Sequence, residues 1–331
     1  MRRTCVGLVL LFLLPACRAD GPAVPVAAAR RAEWAVAIHG GAGVTARSME
    51  GVSEPDVLES LRRALDLARS ALAAGESSLD AVEKVVVFLE DDPLFNAGRG
   101  AVYNHEGLHE LDAAIMDGAT LRCGAVAGVT TVKNPVLLAR RVMERTTHIL
   151  LGGAGADRFA REIGLEPVGQ DYFHTERRRR QWLEKVKAPG GERPEAAHGT
   201  VGAVALDRHG NLAAATSTGG LTGKRFGRIG DTPLVGAGTY AGNATCAVSG
   251  TGIGEEFMRH VVAHRVATLM EDRGLTVEQA ASRLVFDTLK PGDGGLIAVG
   301  RDGSLALVFN SEGMLRGAAD SNGRFEVAIW K

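Results

Sequence analysis

Between Val201 and Thr218 the sequence reads VGAVALDRHGNLAAATST, two runs of small and β-branched residues interrupted once, by DRHGN around Gly210. Such a pattern describes an antiparallel hairpin. The grammar recurs in ELDAAIMDG and LRCGAVAGVTTV, joined at Gly118, and in GGLIAVGRDGSLALVFN, with its turn at Arg301-Asp302-Gly303. Helical patterns lie between these blocks. Leu58, Leu61, Leu65, Ala68 and Leu72 recur at helical spacing and stop at Gly75, and Ser77 with Asp80 opens a second helix through Val82, Val85, Val86 and Leu89. NPVLLARRVMER, a segment from Ala154, Glu255 to Met270 and Val277 to Leu289 complete the set. Hairpin blocks alternating with helices predict an α+β chain with layered αββα architecture rather than a parallel doubly wound sheet.

The chain of 331 residues carries 38 Lys+Arg against 39 Asp+Glu, so no global field draws it to nucleic acid or an anionic membrane. Hydrophobic residues make up 45%, enough for a large core. The start, MRRTCVGLVLLFLLPACRAD, has a basic end, a short apolar run and small residues at Ala16 and Cys17, the design of an export signal. Two destinations follow, plain secretion to the periplasm or a lipid anchor on Cys17. With Cys5 and Cys17 in the leader, Cys123 and Cys246 remain, read as free thiols, with one disulfide as the alternative. Residues 1–20 are then a leader, 21–33 a flexible segment, and the body begins at the strand WAVAIHGGAG with its glycine turn.

Several motifs compete for the chemistry. HEGLHE at His105 to Glu110 spells a zinc-peptidase motif, but Gly107 and the strand-like sequence after it deny the helix that would align both histidines. His260 and His264 lie four apart on the expected helix without a third ligand. The run Arg177 to Arg180 reads as a solvated helix or linker face, with phosphate contact as the alternative. The glycines at Gly40 and Gly250 lack phosphate-loop spacing. A Gly-x-Ser-x-Gly elbow is missing as well.

What remains is a threonine cluster, Thr200, Thr216, Thr218 and Thr251. Thr200 and Thr218 fall on adjacent hairpin strands, so their side chains can meet across the ladder. A threonine hydroxyl needs a base. Scission between Gly199 and Thr200 would supply one, a free α-amine with a reference pKa of about 7.7–8.0. A charged stretch leading into an unpatterned segment, about residues 188–199, would present that bond for cutting, and Gly199 would admit the contorted backbone of an N-to-O acyl shift. The bland alternative is a β-branched residue opening a strand.

AIHGGAG, DDPLFNAGRGAV, ELDAAIMDG, CGAVAGVTTVKNPVLLARRVME, HGTVGAVALDRHGNLAAATSTGG, GRIGDTPLVGAGTYA and SGTGIGEEFMR, in this order from about Ala35 to about Arg316, together resemble the plant-type L-asparaginase and isoaspartyl peptidase family of N-terminal nucleophile hydrolases. The resemblance implies an αββα sandwich and a precursor that cuts itself at Gly199-Thr200 into an α subunit, residues 34–199, and a β subunit, residues 200–331. It implies Thr200 as nucleophile, tuned by Thr218, with Thr251 (hydroxyl) and Gly252 (backbone N–H) at the oxyanion positions. Arg228 and Asp231 would grip the substrate's α-carboxylate and α-ammonium, with Thr251 and Gly252 also on the substrate, and Asn96 would support the site. Main-chain carbonyls of Leu89, Glu90, Asp92, Phe95, Ala97 and Arg99 would wrap a structural sodium ion, with no organic or redox cofactor required. Small-molecule substrates, L-asparagine and β-aspartyl dipeptides, and an (αβ)2 assembly are the partners implied. Leu315 stands where an aromatic is common in the family, and an exported chain departs from its many cytoplasmic members. Glycosylasparaginase chemistry is the enzyme alternative, and an exported amino-acid-binding protein without turnover the alternative of another class.

Overall fold

A computed structural model describes residue 1, residues 31–187 and residues 199–331. The leader with Cys5 and Cys17, and the segment 188–198, lie outside the described residues. Its elements run β1 (Ala35–Val44), α1 (Glu54–Ala73), α2 (Ser78–Asp91), β2 (Leu111–Asp117), β3 (Cys123–Val129), α3 (Pro135–Arg145), β4 (Leu150–Gly152), α4 (Gly153–Glu162) and α5 (Glu176–Lys187). After the gap come β5 (Val201–Leu206), β6 (Leu212–Thr218), β7 (Thr239–Ala241), β8 (Cys246–Gly252), α6 (Gly254–His260), α7 (Val262–Arg273), α8 (Val277–Ser282), β9 (Gly294–Gly300), β10 (Leu305–Phe309), β11 (Gly313–Asp320) and β12 (Phe325–Trp330).

The strands form two sheets. One has eight strands in the order β12-β11-β1-β5-β6-β2-β3-β4, the other four in the order β10-β9-β8-β7. All pairs are antiparallel except β3 with β4. Local chemistry explains the helices: Ser53 and Ser77 accept from the backbone N–H groups of Asp56 and Asp80, and Thr276 opens α8 with a full capping box. Helices α1, α2 and α3 put their apolar stripes on the larger sheet, α1 burying Leu61, Leu65, Ala68 and Leu72. Helices α7 and α8 cover the smaller sheet with Val262, Val266, Val277 and Ala281. A third cluster, including Ala37, Val204, Ala214, Ala247, Ile297 and Val299, joins β1, β5 and β6 to β8 and β9.

Three expectations are corrected. The helix read from Glu255 to Met270 is broken at Val261, whose left-handed φ of 49° ends α6 and starts α7, so His260 and His264 do not share a continuous helical face. The helix read from Val277 to Leu289 gives way after Ser282 to a π-type turn over Arg283–Thr288. Within the arginine run, α5 does form, but Arg178 is buried rather than solvated. His105 to Glu110 is turn and irregular backbone, as Gly107 implies, and Cys123 and Cys246 are free. Strands β11 and β12 were not anticipated; Gly313, Gly317 and two alanines give β11 a weak strand signal, yet it pairs along the whole of β1.

Candidate active site

The hairpin of β5 and β6 sets the centre of the site. Val201 pairs with Ser217, which brings Thr200 beside Thr218, and the Thr200 hydroxyl donates to Thr218 Oγ1 at 3.0 Å. Thr218 Oγ1 also accepts from the Gly220 N–H at 3.0 Å. The nucleophile candidate therefore points its proton at an acceptor whose lone pairs are held in place by backbone.

Asn96 ties the flanking segments together. Its N–H donates to the Gly199 carbonyl oxygen at 3.0 Å, its carbonyl accepts from Gly219 N–H at 3.0 Å, and its side-chain amide donates to Gly220 O at 2.8 Å. Its Oδ1 accepts from Val102 N–H at 2.9 Å. One bond holds the backbone just before Thr200 and two hold the backbone just after Thr218, so the residue ties down the flanks of both members of the hydroxyl pair.

Behind Thr200 runs a buried polar chain that sequence reading did not single out. The Thr200 carbonyl lies 3.0 Å from His39 Nδ1, His39 Nε2 lies 2.8 Å from Ser249 Oγ, and Ser249 Oγ lies 2.7 Å from Thr216 Oγ1. Thr239 donates to Thr216 at 2.7 Å. A carbonyl can only accept, so Nδ1 carries the imidazole proton and Nε2 accepts from Ser249. Burial drives the His39 pKa down to about 3, with the Thr200 carbonyl opposing it, and the ring is neutral. Ser249 then donates to His39 and accepts from Thr216, Thr216 accepts from Thr239, whose proton also faces the Thr232 carbonyl at 3.1 Å, and the imidazole hands the polarisation on to the Thr200 carbonyl. Of these residues Thr200 and Thr216 belonged to the threonine cluster; nothing in the spacing of His39 and Ser249 joins them, because they come from different sheets.

Gly202 makes room for that chain. A Cβ there would lie 2.1 Å from Ser249 Oγ and 2.4 Å from His39 Nε2. Gly202→Ala is expected to lower stability by about 1–3 kcal/mol, read as a lower denaturant midpoint; an unchanged midpoint would mean the chain can move aside.

A solvent-open pocket of about 270 Å3 lies against the hydroxyl pair, walled by Thr200, Thr218, Gly220, Leu221, Arg228, Gly230, Asp231, Thr232 and Gly252. Arg228 presents a fork: Nε and Nη2 each donate to Glu255 at 2.9 Å, which fixes the guanidinium and leaves Nη1 beside Gly220 and Gly230. A Cβ on Gly230 or Gly254 would come within 2.8 Å and 2.7 Å of that guanidinium, so the glycines of GRIGD and GTGIGE are clearance for the fork. Glu255 stands in the quoted motif but went unassigned. Asp231 is buried, its Oδ2 has no hydrogen-bond partner among the described residues, and burial pushes its pKa up to about 7 against the pull of Arg228. Behind the pocket, Lys224 is buried and donates to Glu110 O at 2.9 Å. The buried carboxyl of Asp112 accepts from Gly128 N–H at 2.8 Å.

Gly252 reaches the pocket wall. Thr251 lies one residue back, buried, with Oγ1 accepting from Ala42 N–H at 3.2 Å. A Cβ on Gly252 would lie 2.1 Å from the Asp293 carbonyl oxygen, so this strand end tolerates no side chain. The loop after α2 folds tightly: Arg99 N–H donates to Glu90 O at 2.7 Å, and the carbonyl oxygens of Pro93 and Phe95 lie 2.6 and 2.8 Å from one point, the place of a Cβ on Gly100. Of the six carbonyls expected to wrap a cation, Glu90 O thus already accepts from Arg99 N–H and Asp92 O from Phe95 N–H at 3.3 Å. Among the described residues no group of His, Cys, Asp or Glu side chains is arranged to hold a metal.

The family model described as asparaginase matches residues 32–329. An isoaspartyl peptidase of Salmonella typhimurium is 51% identical over 294 residues, covering 85% of this chain and 93% of its own. An isoaspartyl peptidase/L-asparaginase of Mus musculus is 44% identical, covering 95% and 96%, and a plant-type L-asparaginase of Pyrococcus furiosus is 43% identical, covering 85% and 94%. A threonine hydroxyl pair beside a clamped arginine and a buried carboxyl, on a chain matched over nearly its full described length, leads to one conclusion: the protein belongs to the asparaginase family that includes isoaspartyl peptidases and plant-type L-asparaginases.

Proposed function

We propose that the chain is a self-processing N-terminal nucleophile hydrolase that releases L-aspartate from isoaspartyl dipeptides and L-asparagine. The observation that carries the reading is the Thr200 hydroxyl donating to Thr218 at the edge of the pocket that holds Arg228 and Asp231. In the precursor, Thr200 Oγ attacks the Gly199 carbonyl carbon, and the oxygen that gains charge is the one already accepting from Asn96 N–H. Water then releases the ester and leaves Thr200 with a free amine.

In the processed enzyme that amine takes the hydroxyl proton as Thr200 Oγ attacks the substrate's β-carbonyl, and it returns the proton to the leaving group. Arg228 receives the α-carboxylate and Asp231 the α-ammonium. Gly252 N–H and the Thr251 hydroxyl meet the developing oxyanion. Water hydrolyses the β-aspartyl enzyme. This reading includes a four-layer αββα sandwich, α and β subunits meeting as residues 34–199 and 200–331, and an (αβ)2 assembly. A sodium ion wrapped by the carbonyls of Leu89, Glu90, Asp92, Phe95, Ala97 and Arg99 would stiffen the loop that carries Asn96, with no part in bond making. Export, with or without a lipid on Cys17, completes the proposal.

The test compares hydrolysis rates for several β-aspartyl dipeptides, L-asparagine and a glycosylated asparagine. Turnover of the first two classes supports the proposal; turnover of the glycosylated compound alone would replace it, and aspartate binding without product would leave a binding protein.

A pH signature follows from Asp231. Only its ionised form pairs with an ammonium, and in the empty site it holds its proton up to about pH 7. Binding must expel that proton, so kcat/KM is expected to fall by up to about tenfold per pH unit below 7, and kcat at saturating substrate less steeply, because the bound ammonium favours the charged carboxylate. Titration of the Thr200 amine lowers both parameters together. Asp231→Asn should raise KM and remove the acid limb specific to kcat/KM; a limb that persists unchanged in this variant belongs to another group.

A further inference from the structure

A second, solvent-open pocket of about 430 Å3 has Gly199 in its wall, as the first has Thr200. Its wall is apolar along Val44, Met49, Val52 and Leu94, and is interrupted by Arg177, Arg178, Gln181 and Gly199 itself. Arg178 is the anomaly. It is 4% exposed, its Nε donates to the Gly100 carbonyl at 2.7 Å and its Nη1 to Gln181 Oε1 at 3.0 Å, and no carboxylate pairs with it among the described residues. Burial and the neighbouring Arg177 charge both pull its pKa well down. Burying a cation away from any counter-ion is strongly disfavoured, and a neutral side chain at this position of α5 would avoid that cost.

Its third nitrogen stands beside Gly199. Nη2 lies 3.4 Å from the point a Cβ on Gly199 would occupy, and the Gly199 carbonyl oxygen already accepts from Asn96 N–H at 3.0 Å. Gly199 is uncharged while its carbonyl is part of a peptide bond. Under the self-processing read above, on which this inference rests, that bond to nitrogen breaks, a water oxygen ends on the Gly199 carbonyl carbon, and the acid proton passes to the freed Thr200 amine. A carboxylate then stands where the amide stood.

We propose that Arg178, oriented by Gly100 and Gln181, is a preformed receptor for the α-carboxylate that Gly199 acquires on processing, one oxygen held by Asn96 N–H and the other by the Arg178 guanidinium. Among the described residues no carboxylate pairs with Arg178, and processing creates one beside it. The new end of the α subunit is held away from the catalytic pocket, and the charge-assisted pair opposes religation by removing the carboxylate from reach of the amine.

The experiment treats purified full-length protein with a carboxypeptidase and follows the α subunit by mass spectrometry. In wild type the subunit ending at Gly199 is expected to resist trimming, while Arg178→Met should be trimmed about tenfold faster or more, and Arg178→Lys, which keeps the charge without the fork, should fall between. Should Arg178→Met fail to fold, Gln181→Ala, which only loosens the guanidinium, is expected to speed trimming to a smaller extent. Equal trimming of wild type and variants, or equal protection in all, overturns the receptor. A wild-type chain that is never cut before Thr200 is a separate outcome, one that removes the self-processing reading and this inference with it.

Discussion

Thr200→Ala protein is expected to stay a single uncut chain and to lose turnover by at least about 10^4-fold, the largest effect of any substitution considered. Two functions vanish together: the hydroxyl that attacks Gly199 in the precursor and the hydroxyl that attacks the substrate afterwards. Mass spectrometry of wild type should find two fragments divided before Thr200, and of the variant one. The Thr200 hydroxyl donates to Thr218 at 3.0 Å and its carbonyl is held by His39, so the residue is fixed at two points that do not depend on the bond to Gly199. For that reason cutting should leave the nucleophile where it stands. Blocking the new amine chemically in cut wild type should abolish turnover while leaving aspartate binding. A fully active uncut chain, or turnover unaffected by the block, would overturn the mechanism.

Arg228→Met should reduce kcat/KM by about 10^2- to 10^4-fold, chiefly through KM. On the proposed reading the substrate α-carboxylate loses the one Arg or Lys on the pocket wall among the described residues, and the buried Asp231 carboxyl beside it loses the charge that opposes its protonation. Arg228→Lys should fare little better. Two nitrogens of the fork are taken by Glu255 at 2.9 Å each, and one ammonium cannot hold Glu255 and the substrate in the same geometry. Glu255→Gln is the control: the neutral amide can still accept from the guanidinium, so kcat/KM should fall far less than in Arg228→Met. Steady-state kinetics with L-asparagine separates these cases. Equal losses in all three variants would place the effect in loop structure rather than in carboxylate recognition.

Much of the site was legible because its grammar is local. The DRHGN turn and the strand period bring Thr200 to Thr218, since a hairpin register is decided by the residues of its turn and its two faces. GRIGD and GTGIGE named Arg228 and Gly252, and both reach the pocket wall. Even the tight loop around Asn96 announced itself through DDPLFNAGRG. His39, Ser249 and Thr239 were not legible. They meet only because the larger sheet lies against the smaller one at β1, β5 and β8, a choice made by the apolar faces of both sheets and by no single segment.

Arg178 makes the same point from the opposite direction. In the run ERRRRQ four identical charges differ by nothing in the sequence, yet one is 4% exposed and another stands at the helix surface. Helix phase against the loop carrying Gly100 selects which of them is buried, and that depends on where α5 docks. By itself, then, the sequence determined the hairpins, the capped helices, the family and the threonine at the Gly199 boundary, because turn chemistry and side-chain period act between near neighbours. Only the tertiary structure decided that β11 flanks β1, that Val261 breaks a helix, and which buried polar groups face one another, because desolvation and long-range packing set those partners and leave no periodic trace.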